Sequence, residues 1–190
     1  MRVIKLNLVC KEFISVNHYM SYRPIKKGNK YIVVAYKPKE TKEFEKSFGE
    51  YIREEIKKQD WIKPPKDKLI IMDTIFYLPR VDMDVQNYFK TLSDVMTTSG
   101  VWEDDNVVME RVNRIYYDSN NPRILITIYP SDFEGIFDNK KEKNEYIDNC
   151  KKCKRYKNNC SILNKVLENR IQNDVIKDNA NKWRCNKFKQ

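Results

Sequence analysis

VDMDVQNYFKTLSDVMTTSGVWEDDN, residues 81–106, decides the reading of this chain. At about 100° per residue, Val85, Tyr88, Phe89, Leu92, Val95 and Met96 fall on one apolar arc, and Asn87, Lys90 and Asp94 fall opposite it. The spacing predicts an amphipathic helix, ended by Thr97, Thr98, Ser99 and Gly100, with Gly100 as a left-handed cap. A helix with one polar face is commonly no more than a surface helix. This one has carboxylates beyond both ends, Asp82 and Asp84 before it and Glu103, Asp104 and Asp105 after it. Like charges repel at short range. A divalent cation removes that cost, and hard oxygen ligands suit Mg²⁺. In a basic chain, an acidic cluster able to hold Mg²⁺ points to phosphodiester chemistry on nucleic acid.

Around this stretch the pattern is that of a mixed domain. Residues 3–10 alternate in polarity and read as a strand, and residues 15–23 read as a loop carrying the only histidine, His18. Residues 31–35 form a β-branched strand, with a hairpin turn expected through Lys27, Gly28 and Asn29. A charged helix is expected over 39–58, burying Phe44, Phe48, Tyr51, Ile52 and Ile56, before Pro64 and Pro65 break the chain. Residues 69–78 are nearly all apolar and read as a central strand. Residues 107–117 and 123–129 read as two strands joined by a turn over 119–122. The expected fold class is α+β: a mixed four- to five-stranded sheet with helices packed on it, plus a small Cys-rich helical C-terminal module. The expected domains are 1–130, a linker at 131–141, and a basic tail at 142–190.

Length and composition set the outer bounds. One core domain with an appendage is expected of 190 residues, 41% of them hydrophobic, with a mean hydropathy of −0.77. No apolar run approaches the roughly 18 residues that span a membrane, and the N-terminal MRVIKLNLVC reads as a strand rather than a signal peptide. A cytoplasmic location is expected by default. The net charge of +10 is uneven. Residues 139–190 hold 15 basic and 6 acidic side chains, against 22 and 21 in residues 1–138. A basic block of this kind suits a polyanion such as DNA, with Lys151, Lys152, Lys154 and Arg155 as its expected contacts. The bland reading is a solvated Lys/Asn-rich surface.

Cysteine usage divides in the same way. Cys10 stands alone in an apolar strand and reads as a buried small hydrophobe. Cys150, Cys153, Cys160 and Cys185 form the pattern C-x2-C-x6-C-x24-C in the tail. The first pair has the spacing that lets two thiolates share one tetrahedral Zn²⁺. The third is close enough to join, and Cys185 can return across a helix expected at 161–176. An iron–sulfur cluster takes four thiolates too; the bland readings are unliganded thiols or two disulfides, the latter disfavoured in a reducing cytosol. The tail has few large apolar residues, which favours a staple.

Several motifs carry a family resemblance. Gly100, Trp102, Asp104 and Asp105 resemble the G-x-W-x-D-D turn of the RusA-type Holliday-junction endonucleases. Asn87, Lys90 and Asp94 match that family's helix, and Ser15, Val16, Asn17 and His18 resemble its S-x-N-x-x-Y loop. The family's aspartate loop reads roughly D-x-D-N-x-x-K. Counting back, its first aspartate falls on Asp84 and its second on Gln86, a departure that leaves a neutral oxygen in place of a charge.

The resemblance implies a symmetric homodimer, a Mg²⁺ cofactor and cleavage of branched DNA such as a four-way junction. Asp84 and Asp105 would hold the metal, Asp104 would support them, and Asp82 or Gln86 would complete the set. Lys90 would stabilise charge on the phosphate or assist deprotonation. Asp94 would anchor Lys90 as an i,i+4 pair, and Asn17 and His18 would contact DNA. Gln86 also fits another class, a non-catalytic DNA-binding protein with a decayed acidic site and a zinc-stapled basic tail.

Overall fold

The computed structural model describes residues 5–66, 68–158 and 160–190, so the first residues of the strand expected at 3–10 lie outside the described part. The chain divides into two compact units, 1–130 and 131–190.

The first unit runs β1 (Leu6–Cys10), α1 (Val16–Tyr19), β2 (Ser21–Lys27), β3 (Lys30–Tyr36), α2 (Lys39–Lys58), β4 (Ile70–Leu78), α3 (Gln86–Thr98), a 3-10 turn (Asp105–Val107), β5 (Val108–Tyr117) and β6 (Arg123–Pro130). Four strands form one mixed sheet in the order β1-β6-β4-β5. β4 and β5 are parallel, whereas β6 is antiparallel to both β4 and β1. A parallel pair needs a crossover connection, and α3 supplies it.

The turn after β5 does not make β5 and β6 neighbours, because β4 lies between them. The composition of the two strands gives the reason. β6 alternates Ile124, Ile126 and Ile128 into the core, so it takes an interior position. β5 reads VMERVNRIYY, and its charged side chains suit a sheet edge, where one row of backbone groups meets water.

One face of the sheet is built by alternation from β1, β6 and β4, including Leu6, Leu8, Met72 and Phe76. Phe44, Phe48 and Ile52 of α2 and the apolar arc of α3 join it in one buried cluster. Each such side chain contributes about 1.5–3 kcal/mol by leaving water. All six residues expected on the α3 arc are buried, and Gly100 takes φ +85° as a left-handed cap. Among the described residues β2 and β3 pair only with each other, turning at Gly28 (φ +63°), so the expected hairpin is longer than its predicted strand and begins inside the expected loop.

The second unit holds α4 (Lys140–Lys151), α5 (Ser161–Leu167) and a small antiparallel pair, β7 (Val175–Lys177) and β8 (Trp183–Cys185). The module is therefore mixed rather than purely helical. The helix expected over 161–176 stops at Leu167. Asn169 adopts φ +60°, and the Arg170 N–H reaches back to the Lys165 carbonyl at 2.9 Å, the bond that closes a helix through a left-handed residue. The stretch expected to be a linker, 131–141, lies within this unit: Phe137 packs with Tyr146, Val166 and Val175 in its small core. Gly135 (φ +66°) lies so near α5 that an added Cβ would come within 2.3 Å of the Val166 carbonyl oxygen.

Candidate active site

The residues flanking α3 are placed by its two ends. Asp84 precedes the helix, and its Oδ1 accepts the Gln86 N–H at 3.0 Å. Beyond the helix, two tryptophans fix the returning chain. Trp61 Nε1 donates to the Val101 carbonyl at 3.0 Å, and the buried Trp102 donates to Thr97 Oγ1 at 2.8 Å. The chain then comes back beside α3, where Asp104 Oδ1 accepts the Asn106 N–H at 3.1 Å and opens the 3-10 turn.

Lys90 joins the helix to this returning segment. Its ammonium donates to Asp94 Oδ1 at 2.7 Å and to Asp105 Oδ2 at 3.0 Å. Those two carboxylates hold the Lys90 pKa well above the ordinary lysine range, the hydrogen bond from Asp94 being the larger cause. The side chains of Lys90, Asp94 and Asp105 are 57%, 31% and 34% exposed. Ion pairs this open are worth below about 1 kcal/mol each, so fold stability alone is a weak reason for the arrangement.

Two further groups belong to this neighbourhood and escaped the sequence reading. Glu110, at the start of β5, accepts from the Ser93 hydroxyl at 2.9 Å. Burial raises its pKa, Asp105 adds to the rise, and Lys90 opposes it. Only its position five residues beyond Asp105 could have drawn attention to it. Tyr19 is buried on α1, which packs against α3. Its hydroxyl donates to Glu45 and accepts from Lys37 at 3.1 Å, and its pKa is raised strongly by burial, then by Glu45 and by Asp94. The Thr91 hydroxyl, donating to the Ile14 carbonyl at 2.7 Å, ties the same loop to α3. Asn17 and His18 are exposed on α1, and His18 Nδ1 shares a hydrogen bond with Ser15 Oγ at 3.1 Å.

The structure does not gather the carboxylates as expected. Among the described residues, no three His, Cys, Asp or Glu side chains stand close enough together to hold a metal ion. Mutually repelling anions take donors of their own: Asp82 pairs with Arg80 at 3.2 Å, Asp84 with the Gln86 N–H, Asp104 with the Asn106 N–H and Asp105 with Lys90. Glu103 pairs with Lys63 at 2.6 Å, which lowers its pKa.

In the second unit, Cys150, Cys153, Cys160 and Cys185 are free thiols that line one cavity of about 20 Å³, although they too fall short of a ready ligand set. Burial lifts the Cys150 pKa to about 11, with Cys185, Cys160 and Cys153 all within electrostatic reach. Lys152 and Lys154 are exposed, Arg155 is half-buried against the cavity, and Lys151 is engaged with Asp148 at 2.7 Å.

A basic chain in which a helical lysine joins an acidic turn, with an acidic loop at the other end of the same helix, on one α+β sheet, has the make-up of an enzyme that cuts nucleic-acid backbones. Comparison with known families agrees. The model of the family described as Endodeoxyribonuclease RusA matches residues 20–129, more than half of the chain. The chain belongs to the RusA endodeoxyribonuclease family, whose activity is the resolution of Holliday junctions. The match takes in β2 through β6 and every residue of the Lys90 cluster, and leaves out α1 and the second unit. No curated protein matches the chain. No helix among the described residues is long and apolar enough to cross a membrane.

Proposed function

We propose that this protein is a Mg²⁺-dependent endodeoxyribonuclease that cuts four-way or related branched DNA in recombination and repair. The observation that carries the reading is Lys90, which links Asp94 of α3 to Asp105 of the acidic turn inside the family-matched region. The donor set suits Mg²⁺ chemically, since Asp84, Asp104 and Asp105 offer only hard carboxylate oxygens, with Asp82 or the Gln86 amide oxygen to complete it. Bound there, Mg²⁺ would supply Lewis-acid polarisation of the scissile phosphate and of the attacking water.

The remaining work falls to the chain's own groups. Lys90 donates to two carboxylates and has no lone pair to take a proton. Its role is therefore to neutralise charge developing on the phosphate rather than to act as a base. Asp94 fixes the direction of that ammonium, and Asn87 lies one turn before Lys90 on the same helix. Trp61 and Trp102 hold the turn that presents Asp104 and Asp105.

A second copy completes the enzyme in this reading. On one face of the β2–β3 ribbon, Tyr22, Tyr31 and Val33 are 70%, 74% and 71% exposed. A two-stranded ribbon alone is marginal in water, and two-fold symmetry suits paired cuts across a junction. Light scattering on the purified protein tests the dimer.

The deciding experiment compares cleavage of end-labelled four-way, three-way and duplex DNA with and without Mg²⁺. Asp84→Asn and Asp105→Asn should each abolish cleavage while leaving junction binding largely intact, because phosphate contacts from Lys and Arg remain. Full cleavage by either variant refutes the assignment. Gln86→Asp should raise activity or Mg²⁺ affinity if position 86 carries a ligand, and a loss of both points to Asp82. Binding with no cleavage by the unmodified protein would favour the decayed-site reading.

A further inference from the structure

Residues 131–190 bury little apolar surface of their own. Four hydrophobic side chains, Phe137, Tyr146, Val166 and Val175, form the buried cluster of this unit among the described residues. A unit of this size with so small a core ordinarily needs a covalent or metal staple. Its cysteines are free thiols, so no disulfide serves.

Separate elements bring those cysteines together. Cys150 lies in the last turn of α4, Cys153 in the turn that follows, Cys160 at the N-terminus of α5 and Cys185 at the end of β8. All four line the cavity of about 20 Å³. That is roughly the space of one water-sized guest, which suits a single ion.

Two further features point to a charged guest. Cys153 Sγ accepts the Lys189 backbone N–H at 3.4 Å, the kind of outer hydrogen bond that orients a metal-bound sulfur. The Tyr146 side chain is 2% exposed, and its hydroxyl has no hydrogen-bond partner among the described residues although it borders the same cavity. Cys150 and Cys185 are its sulfur neighbours there. Bound to a metal ion these sulfurs would be thiolates, which accept a hydroxyl hydrogen bond better than a thiol does, so metal binding would give the hydroxyl a partner.

We propose that Cys150, Cys153, Cys160 and Cys185 bind one structural Zn²⁺ that staples the second unit. Four S–H bonds break and four Zn–S bonds form, four protons leave to solvent, and no electrons are transferred. The thiols are not yet gathered at ligand spacing. Rotation about χ1 moves a cysteine sulfur without moving its backbone, and binding would draw the four sulfurs onto the ion. Tetrahedral Cys₄ coordination has no open position, which makes the site structural rather than catalytic.

The test uses the full-length protein purified under reducing conditions. Elemental analysis should find one zinc per chain, and Co²⁺ replacement in the unmutated protein should give the sulfur-to-cobalt charge-transfer and tetrahedral bands of a thiolate site. Cys150→Ser with Cys153→Ser should lose the zinc and make residues 131–190 protease-sensitive while 1–130 stays resistant. Cys10→Ser, in the first unit, should keep the zinc. No bound metal, iron with cluster absorption in place of zinc, cobalt spectra lacking thiolate bands, or zinc retained by the double variant would each overturn the proposal.

Discussion

Cutting the chain after Pro130 separates the contribution of the second unit to DNA binding from that of the family-matched domain. The boundary follows from the structure: β6 ends at Pro130, and the second unit begins at Ser131. Residues 131–190 carry 15 basic and nine acidic side chains, so their removal takes away a net charge of +6. Three of those acids, Asp132, Glu134 and Asp138, fall in the stretch expected to be a linker, and two are engaged: Glu134 with Lys143 at 2.9 Å and Asp138 with Lys177 at 3.3 Å. The exposed Lys152 and Lys154 and the half-buried Arg155 then stand for about three phosphate contacts, each steepening the fall of log K with log salt by about 0.9. The truncated protein should therefore show a slope shallower by about 2.7. Between about 50 and 200 mM salt, that makes the full chain lose about 40-fold more affinity than the truncated one. Fluorescence anisotropy on a labelled four-way junction, in Ca²⁺ to hold off cleavage, reads this directly. Cleavage at saturating enzyme should persist. Equal slopes for the two proteins would refute the assignment of phosphate contacts to this unit, and an unfolded 1–130 fragment would refute its independence.

Other perturbations have outcomes set by local geometry. Trp102→Ala should lower stability by about 3–5 kcal/mol in chemical denaturation, because the indole is 1% exposed, and refolded protein should cleave poorly as the acidic turn loses its anchor. Gly135→Ala should strongly destabilise the second unit in proteolysis assays, since its Cβ would collide with α5 at a left-handed residue, whereas Gly100→Ala meets no atom within 4 Å and should cost only about 1 kcal/mol of backbone strain. Cys10 should resist alkylation in the native state, because burial pushes its pKa up to about 12. Between about pH 9 and 12 the unfolded chain releases this proton and the folded one keeps it, so stability should fall with rising pH and Cys10→Ala should flatten that fall.

What could be read from the sequence was what repeats locally. The α3 arc follows from one periodicity, and the hairpin turn from Gly28. Periodicity misled at the C-terminus, where Ile162, Leu163, Val166, Leu167, Val175 and Ile176 look like one apolar stripe. A single left-handed Asn169 ends the helix before the stripe does. The order of the strands was not legible, because a turn after β5 says nothing of β4 entering between β5 and β6. Within the site, the Lys90–Asp94 pair follows from spacing on one helix, and the distances give Lys90 a second carboxylate at Asp105. Glu110 and Tyr19 reach the cluster only through sheet register and helix packing, which no short motif encodes.

The exposure of the Lys90 cluster bears on how a site can change partners. A fully buried pair broken by losing one member costs several kcal/mol, which would lock Lys90 to Asp105. As built, the Lys90–Asp105 contact is open to water on both sides, and releasing it costs less than about 1 kcal/mol. Asp94 lies on the same helix one turn away at 2.7 Å, so the ammonium would stay anchored were Asp105 taken by another cation, as the proposed function requires. A lysine with two weak anchors can thus give up one carboxylate and turn toward a phosphate oxygen without disturbing the fold. The rigidity comes from below, from the buried arc of α3 and from Trp61 and Trp102, which hold both ends of the arrangement while its charged groups remain exchangeable.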